Sequence, residues 1–334
     1  MEAPLLRVGL AGAGHFGRFH ALKLAASRRA VFAGLHDPNP ARASAVGSEV
    51  GVPAMPFNEL LQCCDALIIA APAEVHWEIA VAALEARCHV LVEKPMAATI
   101  EQADHLAAFA AERGLVLQVG HLVRYSAEYG AIAARMGRPL YIEATRIAPF
   151  QTRGTDVSVI LDLMIHDLDL VLALVDSPLT SVDAVGAPVA GPHEDIANAR
   201  VRFANGCVAT ITASRISLKT ERRMRLFAQS GYLSVDFVGR RLTAIGRERG
   251  LPIPGSEGYL IEETSWQEHD ALEAEQAAFI AAVLDGAPVL VDAAAGRQAL
   301  AAALAVTDSM AASRTLAEAS GLVQKLENGL SRGG

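Results

Sequence analysis

The sequence predicts an α/β fold: an N-terminal doubly wound parallel sheet, followed by an α+β domain built on a mostly antiparallel sheet. Three observations carry this. Across the first 120 residues, short apolar runs alternate with longer helical patterns, the order that places helices on both faces of a parallel sheet. Beyond that point the alternation stops, and one amphipathic stretch precedes paired strand-like segments around turn dipeptides. The length of 334 residues suits two domains, expected at 1–120 and 121–334.

Five runs, Leu6–Ala11, Ala30–Leu35, Ala66–Ala70, His89–Val92 and Leu115–Val119, are nearly all apolar. Strands covered on both faces read this way, because neither side of the pleat meets water. Between them lie helical stretches at 15–28, 40–49, 57–62, 73–87 and 99–113. Pro38, Pro40 and Thr99 are start signals, and Gly114 is a stop. Further on, 158–175 reads as one amphipathic helix. Ala199–Phe203 and Cys207–Ala213 flank Ala204-Asn205-Gly206, and Met224–Ala228 and Tyr232–Phe237 flank Gln229-Ser230-Gly231. Both are hairpin signals. Val201, Phe203, Val208, Thr210 and Thr212 alternate as in a sheet with one buried face. Late helices are expected at 268–284 and 292–314. The stretches 180–198 and 249–265 and the tail after 325 read as irregular, and no internal repeat is found.

Composition narrows the function. A net charge of −8 and a pI near 5.7 disfavour nucleic acid and anionic membrane as partners. No run reaches the roughly 20 apolar residues of a membrane span. Met1 leads almost directly into the first strand, without the basic and apolar regions of a signal peptide. The cysteines stand at 63, 64, 88 and 207 and form no CxxC pair, which suits neither a zinc site nor a disulfide framework. A cytoplasmic protein is expected.

Chemistry enters with Gly12-Ala13-Gly14-His15-Phe16-Gly17, between the first strand and the first helix. Gly12 permits the tight turn, Gly14 lets backbone approach a pyrophosphate, and Gly17 lets helix and strand pack closely. The helix N-terminus attracts the anion, with His15 and Phe16 in its first turn. This is the dinucleotide-binding signature of a Rossmann domain. Asp37 ends the second strand, 20 residues past Gly17, where a carboxylate accepts from the ribose hydroxyls and repels a 2′-phosphate. NAD is therefore expected, with NADP as the alternative. Arg42 could soften that repulsion or stack on adenine, though a solvated helix residue is the plainer reading. Ala71 and Pro72 end the third strand at the sheet edge where ligands bind, and His76 comes shortly after.

Glu93-Lys94-Pro95 ends the fourth strand. An ammonium there faces the crevice and can stabilise an alkoxide as hydride leaves. A cis bond before Pro95 is one way to set the backbone beyond it. On the helix at 158–175, Asp162, His166 and Asp169 are spaced i, i+4, i+7 and would share a face, with Asp167 beside them. A carboxylate one turn from a histidine can orient the ring, which then accepts a hydroxyl proton. Asp169 reads as structural. A metal reading of Asp162 and His166 lacks a third ligand, and hydride transfer needs no metal.

With these residues in place, the chain resembles the Gfo/Idh/MocA oxidoreductase family along essentially its whole length. The likeness rests on Gly12-Ala13-Gly14-His15-Phe16-Gly17, Pro72 with His76, Glu93-Lys94-Pro95, and Asp162 with His166. It implies Lys94, Asp162 and His166 as catalytic residues. It also implies a second domain with a large open antiparallel sheet, through which such proteins form dimers or tetramers. Gly120-His121-Leu122-Val123-Arg124-Tyr125 resembles the GHxxRF segment of nucleotide-sugar members, those of the UDP-N-acetylglucosamine 3-dehydrogenase type. It is also similar to the GFxRRY segment of inositol dehydrogenases. By that likeness Arg124 and Tyr125 line the substrate pocket. Departures from the family pattern are Ala73, Ser126-Ala127, Asp156-Val157-Ser158-Val159 and Met164. The expected activity is NAD(P)-dependent oxidation of a secondary hydroxyl on a sugar or nucleotide sugar. The alternatives are an inositol or free-sugar dehydrogenase, a reductase running the reverse reaction, and a catalytically silent cofactor-binding regulator.

Overall fold

A computed structural model describes residues 4–151, 157–247, 249–267 and 269–322. The tail expected to be irregular after 325 and Asp156 lie outside these.

Five strands, β1 (Leu6–Ala11), β2 (Ala30–His36), β3 (Ala66–Ile69), β4 (His89–Glu93) and β5 (Leu117–Gly120), form an all-parallel sheet in the order β2-β1-β3-β4-β5. Leu67, Ile68 and Ile69 are all fully buried, so both faces of β3 are covered. Each such side chain contributes about 1.5–3 kcal/mol. Helices α1 (His15–Ala26), α2 (Pro40–Val50), α3 (Phe57–Cys63), α4 (His76–Glu85) and α5 (Ile100–Arg113) connect the strands. The expected caps are present: Asn39 accepts from Arg42 N ahead of Pro40, Thr99 accepts from Gln102 N, and Gly114 ends α5 at φ 65°. The single helix expected at 73–87 instead begins as a 3₁₀ turn, Ala73–Val75, before α4.

After α6 (Ala127–Ala133) the chain builds a nine-stranded sheet from β6 (Tyr141–Ile147), β7 (Leu179–Ala187), β8 (Ile196–Phe203), β9 (Val208–Ser214), β10 (Glu221–Ala228), β11 (Gly231–Asp236), β12 (Arg241–Gly246), β13 (Leu251–Pro252) and β14 (Leu260–Ser265). Its order is β13-β14-β12-β11-β10-β6-β9-β8-β7, antiparallel except for β6 against β9. Both expected hairpins form. In the second, Ala228 pairs with Gly231, which leaves Gln229-Ser230 as a two-residue loop. Two stretches expected to be irregular are corrected: 180–198 contains most of β7, and 249–265 contains β13 and β14. Both lie toward the ends of the sheet, where pairing with a neighbour supplies the order that local alternation lacks.

The helix expected at 158–175 is a π-turn, Ile160–Met164, continued by α7 (Ile165–Val175). It packs with α9 (Ala293–Ala319) under one face of the large sheet. Helix α8 (Ala271–Asp285) returns to the parallel sheet, where Phe279 joins Leu6, Val8 and Leu10. α9 touches both cores: Leu300 packs with Val119 and Met96, while Val306 and Met310 pack beneath the large sheet. Among the described residues no helix is long and apolar enough to cross a membrane.

Candidate active site

The glycine-rich turn sits at the carboxyl edge of the parallel sheet, where the strand order reverses between β1 and β3. Gly12 has φ +99°, and a Cβ there would fall 2.5 Å from the Ala70 carbonyl. A Cβ on Gly17 would fall 2.0 Å from the Gly12 carbonyl, so helix and strand approach too closely for any side chain. A Cβ on Gly14 would meet nothing within 4 Å. Helix α1 has no side-chain cap and no acid in its first turn, so its leading amides face that open space as donors. This cradle fits a pyrophosphate. His15 is exposed, with its ring edge-on to Phe19, and Phe16 packs edge-on against His20.

Asp37 closes the cradle from β2. Its carboxylate accepts from Ala13 N and Asn39 N, both at 2.8 Å, which ties the turn to the strand end. Arg42 reaches within 3.6 Å of the same carboxylate, and its side chain is half exposed. His76 does not face the crevice as a free ring. Its nitrogens contact the carbonyls of Ala71 and Pro95, both at 2.8 Å, so it braces the loop after β3 against the loop after β4. Pro72 precedes the 3₁₀ turn, and the Lys94–Pro95 peptide is cis.

Lys94 leaves the end of β4 and donates to the carbonyls of Asp162 at 2.8 Å and Leu161 at 3.2 Å. Both acceptors belong to the π-turn, a helical irregularity common at functional sites. One contact thus joins the nucleotide-binding sheet to the helix that carries His166. Lys94 and His166 are part-exposed on the surface, yet the depth of the crevice desolvates both. Burial brings the Lys94 ammonium below its usual 10.5, against the pull of Asp162 and Glu93. Burial, followed by Lys94, Arg146, His121 and Arg222, drives His166 well below 6.5. The imidazole is therefore neutral at neutral pH and has a lone pair for a proton.

The Asp162–His166 relation differs from expectation. Among the described residues no hydrogen bond joins them, and His166 Nδ1 has no partner. A π-turn winds more residues per turn than an α-helix, so the two side chains lose the i, i+4 alignment. Asp162 acts on Lys94 through its charge and through its backbone carbonyl. Asp169 is buried and receives Arg124 at 3.4 Å, and burial raises it to about 7. Arg124 also lies over the Tyr129 ring, and its buried Nε has no hydrogen-bond partner among the described residues. Tyr125 is 8% exposed within the apolar cluster beside the parallel sheet, and burial, followed by the charge of Glu275, raises its hydroxyl pKa.

Further residues surround this site without a local sequence signal. Arg146 on β6 grips Asp167 through two bonds of 2.8 and 2.9 Å. Its strand alternates Ile142, Ala144 and Arg146 inward, a pattern that could have revealed β6. His121 lies just past β5, is 1% exposed, and is pushed down to about 3 by burial and by Lys94 and Arg124. Beneath Glu93, His20 Nε2 donates to Glu93 Oε1 at 2.8 Å, and Gln276 donates to His20 Nδ1 at 2.9 Å. Glu275 completes this buried group, within 4.8 Å of both His20 and Glu93. Three such ligands could hold a cation, but Gln276 donating to Nδ1 puts the ring proton on Nε2, so His20 faces the carboxylates as a donor. Two surface clefts, of 430 and 160 Å³, lie elsewhere; neither is lined by Lys94, Asp162 or His166.

Comparison with known proteins agrees with this geometry. Residues 6–121 match the model of the GFO/IDH/MocA oxidoreductase family with an NAD-binding Rossmann fold, and residues 131–234 match the GFO/IDH/MocA C-terminal domain. The chain is 42% identical over 303 residues to UDP-N-acetylglucosamine 3-dehydrogenase of Acidithiobacillus ferrooxidans, covering 90% of this chain and 96% of that one. A solved structure of the enzyme of that name and organism matches with a TM-score of 0.87, over 92% of this chain and 98% of that chain. Identity to scyllo-inositol 2-dehydrogenase (NAD(+)) of Bacillus subtilis is 28% over 232 residues, covering 64% of this chain and 68% of that one. Scyllo-inositol dehydrogenase from Lactobacillus casei with bound NAD(H) and scyllo-inositol shares the fold, with a TM-score of 0.77 at 22% identity over 92% of this chain and 98% of that chain.

Proposed function

Since the chain belongs to the Gfo/Idh/MocA family of NAD-binding oxidoreductases, we propose that it oxidises a secondary hydroxyl of a nucleotide sugar, of the UDP-N-acetylglucosamine type. The observation that carries this is the docking of Lys94 on the π-turn carbonyls just ahead of His166, at the edge of the dinucleotide cradle. The bound nicotinamide supplies the hydride acceptor. Gly12, Gly14 and Gly17 hold the pyrophosphate, and Asp37 receives the ribose hydroxyls and disfavours a 2′-phosphate. Lys94 donates to the substrate oxygen and stabilises its negative charge as the C–H bond breaks. His166, neutral beforehand, takes the hydroxyl proton. Asp162 keeps Lys94 charged and in place.

The outer face of the large sheet supports a homodimer or homotetramer. Tyr141, Phe227 and Tyr232 form an aromatic row there, with ring centroids 5.7 and 5.0 Å apart, the residue type enriched at protein interfaces. A cytoplasmic site of action fits the supply of NAD and nucleotide sugar.

The test is a thermal-shift panel with NAD, NADP, UDP-N-acetylglucosamine, free sugars and inositols, then NADH formation on the ligands that bind. A ligand that binds the native state raises Tm. Stabilisation by NAD and by the UDP-sugar, with NADH produced, is the expected result. Turnover of inositols or free sugars alone would transfer the reading to a polyol dehydrogenase. Binding of NAD without turnover of any of them would leave a cofactor-binding regulator.

A further inference from the structure

Arg222, on β10, is a cation beside the general base that the hydride-transfer mechanism does not use. The register sets it directly across from Arg146 on β6. Arg146 is buried and committed to both oxygens of Asp167, the residue after His166. On the other flank, Phe237 N donates to the Arg222 carbonyl, so the neighbour there is an apolar residue. Neither flank offers a free carboxylate. Glu221 alternates to the opposite face and pairs with Lys219. Arg222 lies on the same face as Met224 and Leu226, which are fully buried, but is itself exposed. It therefore marks the open end of that face. Among the described residues no carboxylate pairs with it directly: the nearest acid that acts on it, Asp167, is already bound through both oxygens by the neighbouring guanidinium of Arg146. Although its surface is open, partial desolvation of the guanidinium and then the charge of Arg146 lower its pKa, with Asp167 pulling the other way.

We propose that Arg222 is the anion-recognising residue of this site and takes a phosphoryl group of the nucleotide-sugar substrate. The inference rests on the nucleotide-sugar reading of the substrate. A planar guanidinium matches phosphoryl oxygens through paired hydrogen bonds, and an anion placed there relieves the repulsion between Arg222 and Arg146. It also reaches the chemistry. Arg222 is one of the cations that oppose protonation of His166, so neutralising it makes His166 a better proton acceptor when the correct substrate is seated.

The test measures kinetics with NAD and UDP-N-acetylglucosamine, with UDP as a competitive inhibitor. Arg222→Gln is expected to raise both the KM for the nucleotide sugar and the inhibition constant of UDP about tenfold to a hundredfold, the loss of a hydrogen bond to a charged group. Arg222→Lys retains the charge and should recover part of the loss. NAD affinity and Tm should stay unmoved, which a merely structural role would not predict. Unchanged KM and UDP inhibition in folded Arg222→Gln would overturn the assignment and leave the substrate reading intact. Wild-type protein that neither oxidises a UDP-sugar nor binds UDP would overturn both.

Discussion

Lys94 can be found in the sequence because three short signals converge on it: an apolar strand, a strand end, and a proline that fixes the backbone just beyond. Its partners cannot, since the carbonyls of Leu161 and Asp162 come from a segment 67 and 68 residues away. Lys94→Ala should lower kcat by about 10²–10³-fold, as for loss of one oxyanion donor, with NAD affinity preserved. A Lys94→Ala enzyme with unchanged kcat would remove Lys94 from the mechanism. The two pKa shifts set the pH profile of kcat/KM. His166 must be unprotonated, so activity falls only as pH drops through a value well below 6.5. Lys94 must be charged, so activity is lost as pH rises through a value below 10.5. Glu275 offers a separate measurement. Burial and the charge of Glu93 raise it well above 4.5, so the folded state holds its proton more tightly than the unfolded state. That group's contribution to stability therefore falls as pH rises from about 4.5 toward the raised value. Glu275→Gln keeps the shape without the charge. It should match wild type near pH 4.5 and show a rising Tm advantage toward pH 8; parallel Tm curves would refute the raised carboxyl pKa.

At the scale of elements, turns and caps were legible and sheet edges were not. Gly17 is dictated locally, because the turn's own Gly12 carbonyl excludes a side chain there, and Gly12 by its φ of +99°, to which the Ala70 carbonyl at the end of the neighbouring strand adds its crowding. Gly17→Ala should destabilise the protein by about 1–3 kcal/mol or more, the cost of overpacking, and abolish NAD binding. Retained NAD affinity in that variant would contradict the glycine cradle as the pyrophosphate site. The π-turn at Ile160–Met164 was hidden, since its residues read as an ordinary apolar helix. What marks it is a contact from far along the chain, the Lys94 ammonium on its carbonyls. Strand β7 was missed for a related reason: most of its residues are at least part-exposed, and its order comes from β8 and α9.

For the whole molecule, α9 is the element that joins the parts. Its 27 residues span about 40 Å and pack into both hydrophobic clusters. In the proposed homo-oligomer the outer face of the large sheet is the contact surface. Light scattering coupled to size exclusion should give a dimer or tetramer, and Phe227→Glu combined with Tyr232→Glu should shift it to a smaller species. A wild-type monomer at micromolar concentration would refute the interface.

By itself the sequence determined the parallel sheet, its glycine-rich turn and the two hairpins, and it singled out Lys94, Asp162 and His166 as the proposed catalytic residues. Each depends on contacts within a few residues, or on an apolar period that burial on one or two faces imposes. Tertiary structure alone decided that Lys94 meets the Asp162 carbonyl, that Arg124 meets Asp169, and that Arg146 and Arg222 stand side by side on neighbouring strands. These relations depend on charge and register between segments far apart in the chain. No local pattern carries them, because a salt bridge or a strand pairing leaves no periodic trace in either partner.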